Sequence, residues 1–320
     1  MKRDDLKAVY RPSVLKASLA LAAMSLIWGY NWVVMKEALR YSGPFDFSFF
    51  RIFFGAMVLF GVLVWKKRPL RPRQAGMTFL LGLFTTSGAV GISTWALVNG
   101  GAGKTAILVY TMPFWLILIA RPVLAEKIRG VQWAAVAVAV AGLALVMGQW
   151  SRPAELFSVF LAVAAGISWA VSAVITKIMY RREDPDLVSV TAWQMLFGVI
   201  PIALAALMLD STPIQWTPFY WGALAYNIVL TNAVAVLLWF YSLQALPAGM
   251  AGMGTLATPV IGIVSASIRL GERPSSSETA GMLLILGALA LITIPEIVRY
   301  RRVRVLLNES RKALSVRREE

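Results

Sequence analysis

With 58% of its 320 residues hydrophobic and only 15% charged, the chain is too apolar to present a solvated surface, which excludes an ordinary water-soluble globular domain. Its net charge of +15 would suit nucleic acid, but in so apolar a chain Lys and Arg read more simply as cytoplasmic anchors of a bilayer protein, and no nucleic-acid partner is expected. With no cysteine and no histidine, the disulfide, thiolate and commonest metal-ligand routes are closed, so neither a metal nor another cofactor is expected and no catalytic residue is assigned.

A polar arm over residues 1–12 leads into a first apolar run over 14–35. That run is longer than the core of a secretory signal, and the small-residue triplet Ala20-Leu21-Ala22 sits too early in it to be a cleavage site, so it counts as a transmembrane helix. Further apolar spans cover 46–65, 75–97, 102–122, 130–148, 156–178, 187–208, 218–242, 248–268 and 278–298, each near the ~20 residues that a ~30 Å hydrocarbon core requires. The expected fold class is an all-α polytopic membrane protein of ten transmembrane helices, with loops too short to hold a soluble domain. Basic residues set the orientation. Lys66, Lys67, Arg68, Arg71 and Arg73, then Arg121, Lys127 and Arg129, and the Arg-rich stretch over 299–318 fall on one side, while only Lys36, Arg40, Lys104, Arg152, Arg269 and Arg273 fall on the other. Both termini are therefore expected in the cytoplasm.

The segment 102–127 returns 146 residues later as 248–273, with Ala102, Gly103, Pro113, Ile117, Ala120, Leu124 and Glu126 meeting identical residues, the last of them Glu272. Trp28 and Lys36 are likewise matched by Trp169 and Lys177, and Arg51-Ile52-Phe53-Phe54-Gly55 resembles Gln194-Met195-Leu196-Phe197-Gly198. The chain therefore divides into a first five-helix repeat over 1–150, a second over 151–299 and a basic cytoplasmic tail over 300–320. Five is odd, so the repeats are inverted, an arrangement that places a substrate site near the bilayer midplane between halves that expose it alternately.

These features together, with the tryptophan in the first helix of each half, resemble the drug/metabolite transporter superfamily and, within it, the EamA-type exporters. The tryptophan-rich stretches over 26–32 and 93–97 are most similar to the YddG-type aromatic amino acid exporters. The resemblance implies outward transport of small amphipathic metabolites, aromatic or neutral amino acids first, across a bacterial inner (plasma) membrane. It also implies an amino acid-like substrate and the lipid bilayer as partners, with a homo-oligomer left open. The alternatives are a carrier of drug-like compounds or phosphorylated sugars, and a non-transporting receptor or scaffold. Phosphorylated sugars need several basic residues in the cavity, whereas Lys36, Arg51, Lys104 and Lys177 all lie towards helix ends.

Lipid-facing positions favour aliphatic residues, so mid-helix polar groups mark a candidate cavity lining. Asn31, Thr86, Asn227, Thr231 and Asn232 are such groups, with interhelical hydrogen bonding as the plainer role for a Ser or Thr. Thr85-Thr86 stand 146 residues before Thr231-Asn232 and are expected to be equivalent. Among aromatic residues Trp28, Trp95, Tyr110, Trp169, Tyr226, Trp239 and Tyr241 fall deep enough to stack a planar side chain or cover an ammonium group, as against simple core packing. Trp115, Trp133, Trp216 and Trp221 read as interfacial. Gly103 and Gly249 should let the fourth and ninth helices pack closely, and Pro113 and Pro259 should let them bend as gates. No Asp or Glu falls in mid-helix, so proton coupling is not expected. Arg51 reads as an anchor snorkelling to the outer surface. The run Gly100 to Thr105 resembles the end of a phosphate-binding loop, but Val98 stands where that motif requires glycine.

Overall fold

The computed structural model of the chain describes residues 14–72, 74–125, 130–147, 153–182, 186–209, 212–245, 248–291 and 294. Every regular element among them is helical. In chain order the rods are α1 (Val14–Ala38), α2 (Pro44–Trp65), α3 (Ala75–Ala96), α4 (Ala102–Leu124), α5 (Gly130–Met147), α6 (Pro153–Arg182), α7 (Leu187–Met208), α8 (Pro218–Ala225 continuing through Tyr226–Val234 and Ala235–Ala245), α9 (Ala248–Leu270) and α10 (Ser276–Leu291). Among the described residues seven helices are long and apolar enough to cross a membrane, and Gly130–Val146, Ala257–Leu270 and Ser276–Leu291 are shorter apolar helices. The tail over 300–320 and the basic loop residues Lys127 and Arg129 lie outside the described residues.

The rods begin where local chemistry satisfies free N–H groups. The Asp186 carboxylate accepts from Val188 N and Ser189 N at the start of α7, and the Thr217 hydroxyl accepts from Tyr220 N ahead of Pro218, which opens α8. Two rods end alike. α4 is followed by Ala125 at φ +54° and α9 by Gly271 at φ +66°, equivalent positions in the duplicated segment, but only glycine adopts this conformation without a Cβ clash. Ala125→Gly should therefore stabilise the protein by about 1 kcal/mol, read as a higher thermal midpoint in detergent.

Among the described residues two rods carry π-helical stretches. Leu83–Gly91 in α3 and Tyr226–Val234 in α8 are π-helical turns, nine residues each. Each takes a side-chain hydrogen bond on a backbone carbonyl: Ser168 Oγ of α6 donates to Phe84 O at 2.8 Å, and Trp28 Nε1 of α1 donates to Thr231 O at 3.1 Å. Wider turns free carbonyls from the helical ladder, and such bulges gather at functional sites. α2 and α7 start 143 residues apart, as do α3 and α8, so counted from the helix starts Thr231 stands at the place of Gly88, and Thr85 at that of Ile228.

Packing runs mainly between the first and second halves of the chain, α2 against α7 and α1 against α8 and α9. The α3–α7 crossing depends on absent side chains: a Cβ on Gly82 would meet Gln194 O at 2.5 Å, and one on Gly198 would strike Gly82 O and Thr86 Cβ. Gly198→Val should cost about 1–3 kcal/mol by forcing these backbones apart, seen as a lower thermal midpoint. The outward faces stay apolar, with Trp65, Leu207 and Met208 80%, 84% and 81% exposed, a surface suited to lipid and not to water.

Candidate functional site

The middle of α1 faces α8. Trp28 lies 6.4 Å from Trp239, ring to ring, and Tyr241 packs on the same cluster. The Tyr226 hydroxyl donates to Ile27 O at 2.8 Å while its ring meets Tyr30 edge-on at 6.2 Å. One turn beyond Trp28, Asn31 is buried and its Oδ1 has no hydrogen-bond partner; Thr231 is buried too, and its Oγ1 has none. Buried polar atoms are satisfied as a rule, so an unpartnered amide oxygen on α1 and an unpartnered hydroxyl on α8, whose own carbonyl takes the Trp28 indole N–H, stand out on these two helices.

Other candidates gather elsewhere. Tyr110 of α4 and Trp169 of α6 meet edge-on at 5.4 Å, and the Tyr110 side chain is hydrogen-bonded to Thr258 of α9. Trp95 stands between Phe45 and Phe157, at 5.4 and 5.3 Å. Thr86 Oγ1 donates to Gln194 O at 3.3 Å and serves the α3–α7 crossing. Asn232 Nδ2 donates to Arg51 O at 2.8 Å, and Asn227 Oδ1 accepts from Arg51 Nη1 at 3.0 Å. The candidate side chains thus form three aromatic groups and one polar seam, not one box. Trp133, Trp216 and Trp221 are exposed, as interfacial or lipid-facing residues would be.

The expected snorkelling of Arg51 is overturned. Its residue is 3% exposed, the guanidinium is fixed by Asn227 and by Thr94 Oγ1 at 2.8 Å, and its Cζ stands 5.6 Å from the Phe47 ring centroid. Helices α3 and α8 close over it, which depth along α2 cannot reveal.

At the end of the bundle where α4 starts, the Glu272 carboxylate receives Ala102 N at 2.6 Å and Gly103 N at 3.0 Å. A Cβ on Gly103 would meet Ile263 Cα at 3.1 Å, so this glycine permits the close α4–α9 approach. The surroundings of Gly249 and the whole of Glu126 lie outside the described residues. Lys36 Nζ donates to Leu97 O at 2.6 Å and Val98 O at 3.1 Å, and Lys104 pairs with Glu278. A cavity of about 230 Å³ opens here, lined by Lys104, Glu155, Ser158, Glu272 and Glu278 among others, and none of the aromatic candidates borders it. The candidate gates differ: α4 breaks at Tyr110-Thr111 ahead of Pro113, whereas α9 runs unbroken through Pro259.

A bundle of apolar rods with polar groups turned inward defines a polytopic membrane protein. The EamA-like transporter family matches it twice, over residues 15–148 and 156–294, and the chain belongs to that family. It is 27% identical over 278 residues to the uncharacterized transporter YoaV of Bacillus subtilis, covering 85% of this chain and 94% of that one. It is 26% identical over 278 residues to a probable amino-acid metabolite efflux pump of Escherichia coli, covering 82% and 90%. A crystal structure at 18% identity aligns with TM-score 0.62 over 89% of this chain and 99% of that one, a likeness of fold.

Proposed function

We propose that the protein exports aromatic or neutral amino acids across a bacterial plasma membrane by alternating access, without proton coupling. The observation that carries this reading is the pair of idle buried acceptors, Asn31 Oδ1 and Thr231 Oγ1, beside Trp28 and Trp239. Neutral acceptors recognise an ammonium group, and indole faces stack a flat side chain while attracting the cation. The name of the Escherichia coli relative agrees in substrate class.

Ten membrane crossings in two inverted five-helix halves, over 1–150 and 151–299 with cytoplasmic termini, give the motion its geometry. The double family match and the matched π-helical turns of α3 and α8 support this division. The broken α4 and unbroken α9 are then one of two states, in which Pro113 is flexed and Pro259 is not, with Gly103 and Gly249 as the close-packing points. In this orientation the end tied by Glu272 is the outer one.

The test is efflux from cells loaded with phenylalanine by feeding a phenylalanine dipeptide. Cells expressing the protein should release phenylalanine faster than vector controls, and Asn31→Leu should slow release about tenfold, the factor lost with about 1.4 kcal/mol of binding. Equal release with and without the protein would refute the substrate assignment.

A further inference from the structure

We infer that Arg51 is a carboxylate-binding residue, the anchor for the acid group of the transported solute, a step that rests on the amino acid reading above. Arginine keeps its charge under all ordinary conditions, and a charge in a membrane span calls for a counter-ion. Arg51 is buried with neutral partners only, Asn227 Oδ1 and Thr94 Oγ1. It belongs to neither of the ion pairs Arg68–Asp186 and Lys104–Glu278.

It keeps donors that these partners do not use. Nη1 and Nη2 each hold one neutral acceptor, and Nε is buried with no acceptor at all. Nε–H with the second hydrogen of a neighbouring Nη is the side-on fork that grips a carboxylate through two parallel hydrogen bonds. Phe47 backs the guanidinium, and Asn232 holds the Arg51 carbonyl, so the fork is oriented before any ligand arrives. Asn227, which holds Nη1, lies four residues before Thr231 in the same π-helical turn, so α8 carries both the support for the cation and one of the idle acceptors. The two charged groups of an amino acid zwitterion have complementary seats along one helix.

The experiment measures thermal midpoints of the purified full-length protein in detergent against phenylalanine, phenethylamine, phenylacetate and phenylacetamide. Phenylacetate should stabilise the wild type and phenylacetamide should not. Arg51→Gln should remove the phenylacetate effect while keeping that of phenethylamine, and Arg51→Lys, which keeps charge but loses the fork, should need about tenfold more phenylacetate, a loss of one charge-assisted hydrogen bond. Equal stabilisation of the wild type by acid and amide would overturn the proposal. So would a preference for the acid that survives in Arg51→Gln or that is undiminished in Arg51→Lys; a lower ligand-free midpoint with that preference intact would leave Arg51 as a tie between α2, α3 and α8. Should Arg51→Gln fail to fold, Arg51→Lys decides alone. Failure of phenylalanine and phenethylamine to act on the wild type would instead refute the amino acid reading, with the phenylacetate comparison still deciding Arg51.

Discussion

Removing the carboxylate of Glu272 by alanine substitution should unseat the start of α4 and lower transport at least about tenfold. Both oxygens are in use, on Ala102 N and Gly103 N, and these are among the N–H groups at a helix start that have no partner within the helix. Ala102 and Gly103 are buried, so water does not readily replace what is lost. Leaving such donors unsatisfied costs about 1–3 kcal/mol each, more for bonds to a charged group. The carboxylate also attracts the nearby Lys36 ammonium, whose own bonds to Leu97 O and Val98 O tie α1 to the turn before α4. Glu272→Gln should recover part of the activity, because an amide offers one oxygen for two donors and presents an NH₂ to the second. Uptake rates and melting curves of the three proteins check this: wild-type rates in Glu272→Ala would show that the cap is dispensable.

The second large effect is expected at the prolines. Pro113 removes the N–H that would bond to Val109 O, and α4 breaks there. Pro113 stands in the first turn of the second segment of α4, where a missing N–H costs little, so Pro113→Ala should leave the melting temperature near that of the wild type. Transport should nevertheless fall about tenfold, since straightening α4 moves Tyr110 off Trp169 and Thr258 and, under the alternating access proposed above, removes a flexure between states. The double variant Pro113→Ala with Pro259→Ala should be slower still, because α9 would lose its capacity to take the bent form in turn. Unchanged rates in the double variant would remove both prolines from the mechanism.

The helical, membrane-embedded character of the chain was legible because apolar length is a one-dimensional property. The starts of α7 at Leu187 and α8 at Pro218 fall where apolar pattern and turn residues place them, and Pro113 announces the break in α4. The π-helical turns were not legible, since no side-chain period encodes them and their supports, Ser168 and Trp28, come from helices far away in sequence. Arg51 was misplaced for the same reason: distance from a helix end is readable, but which neighbours close around a side chain is not. Glu272 stood out as a repeated mark, although only the fold shows that it closes on Ala102 and Gly103. The idle oxygens of Asn31 and Thr231 could be suspected from residue type, and their idleness is a fact of packing alone. Among rods apolar on nearly every face, sequence offers little to say which side chains turn inward.

The most direct measurement is counterflow in proteoliposomes: uptake of labelled phenylalanine and tryptophan with and without unlabelled amino acid inside, at equal pH and across a pH gradient. The account predicts saturable uptake, accelerated by internal amino acid, competed by other aromatic amino acids and indifferent to the gradient. No uptake above that of empty liposomes would contradict the substrate class, and uptake that requires the gradient would contradict transport without a proton.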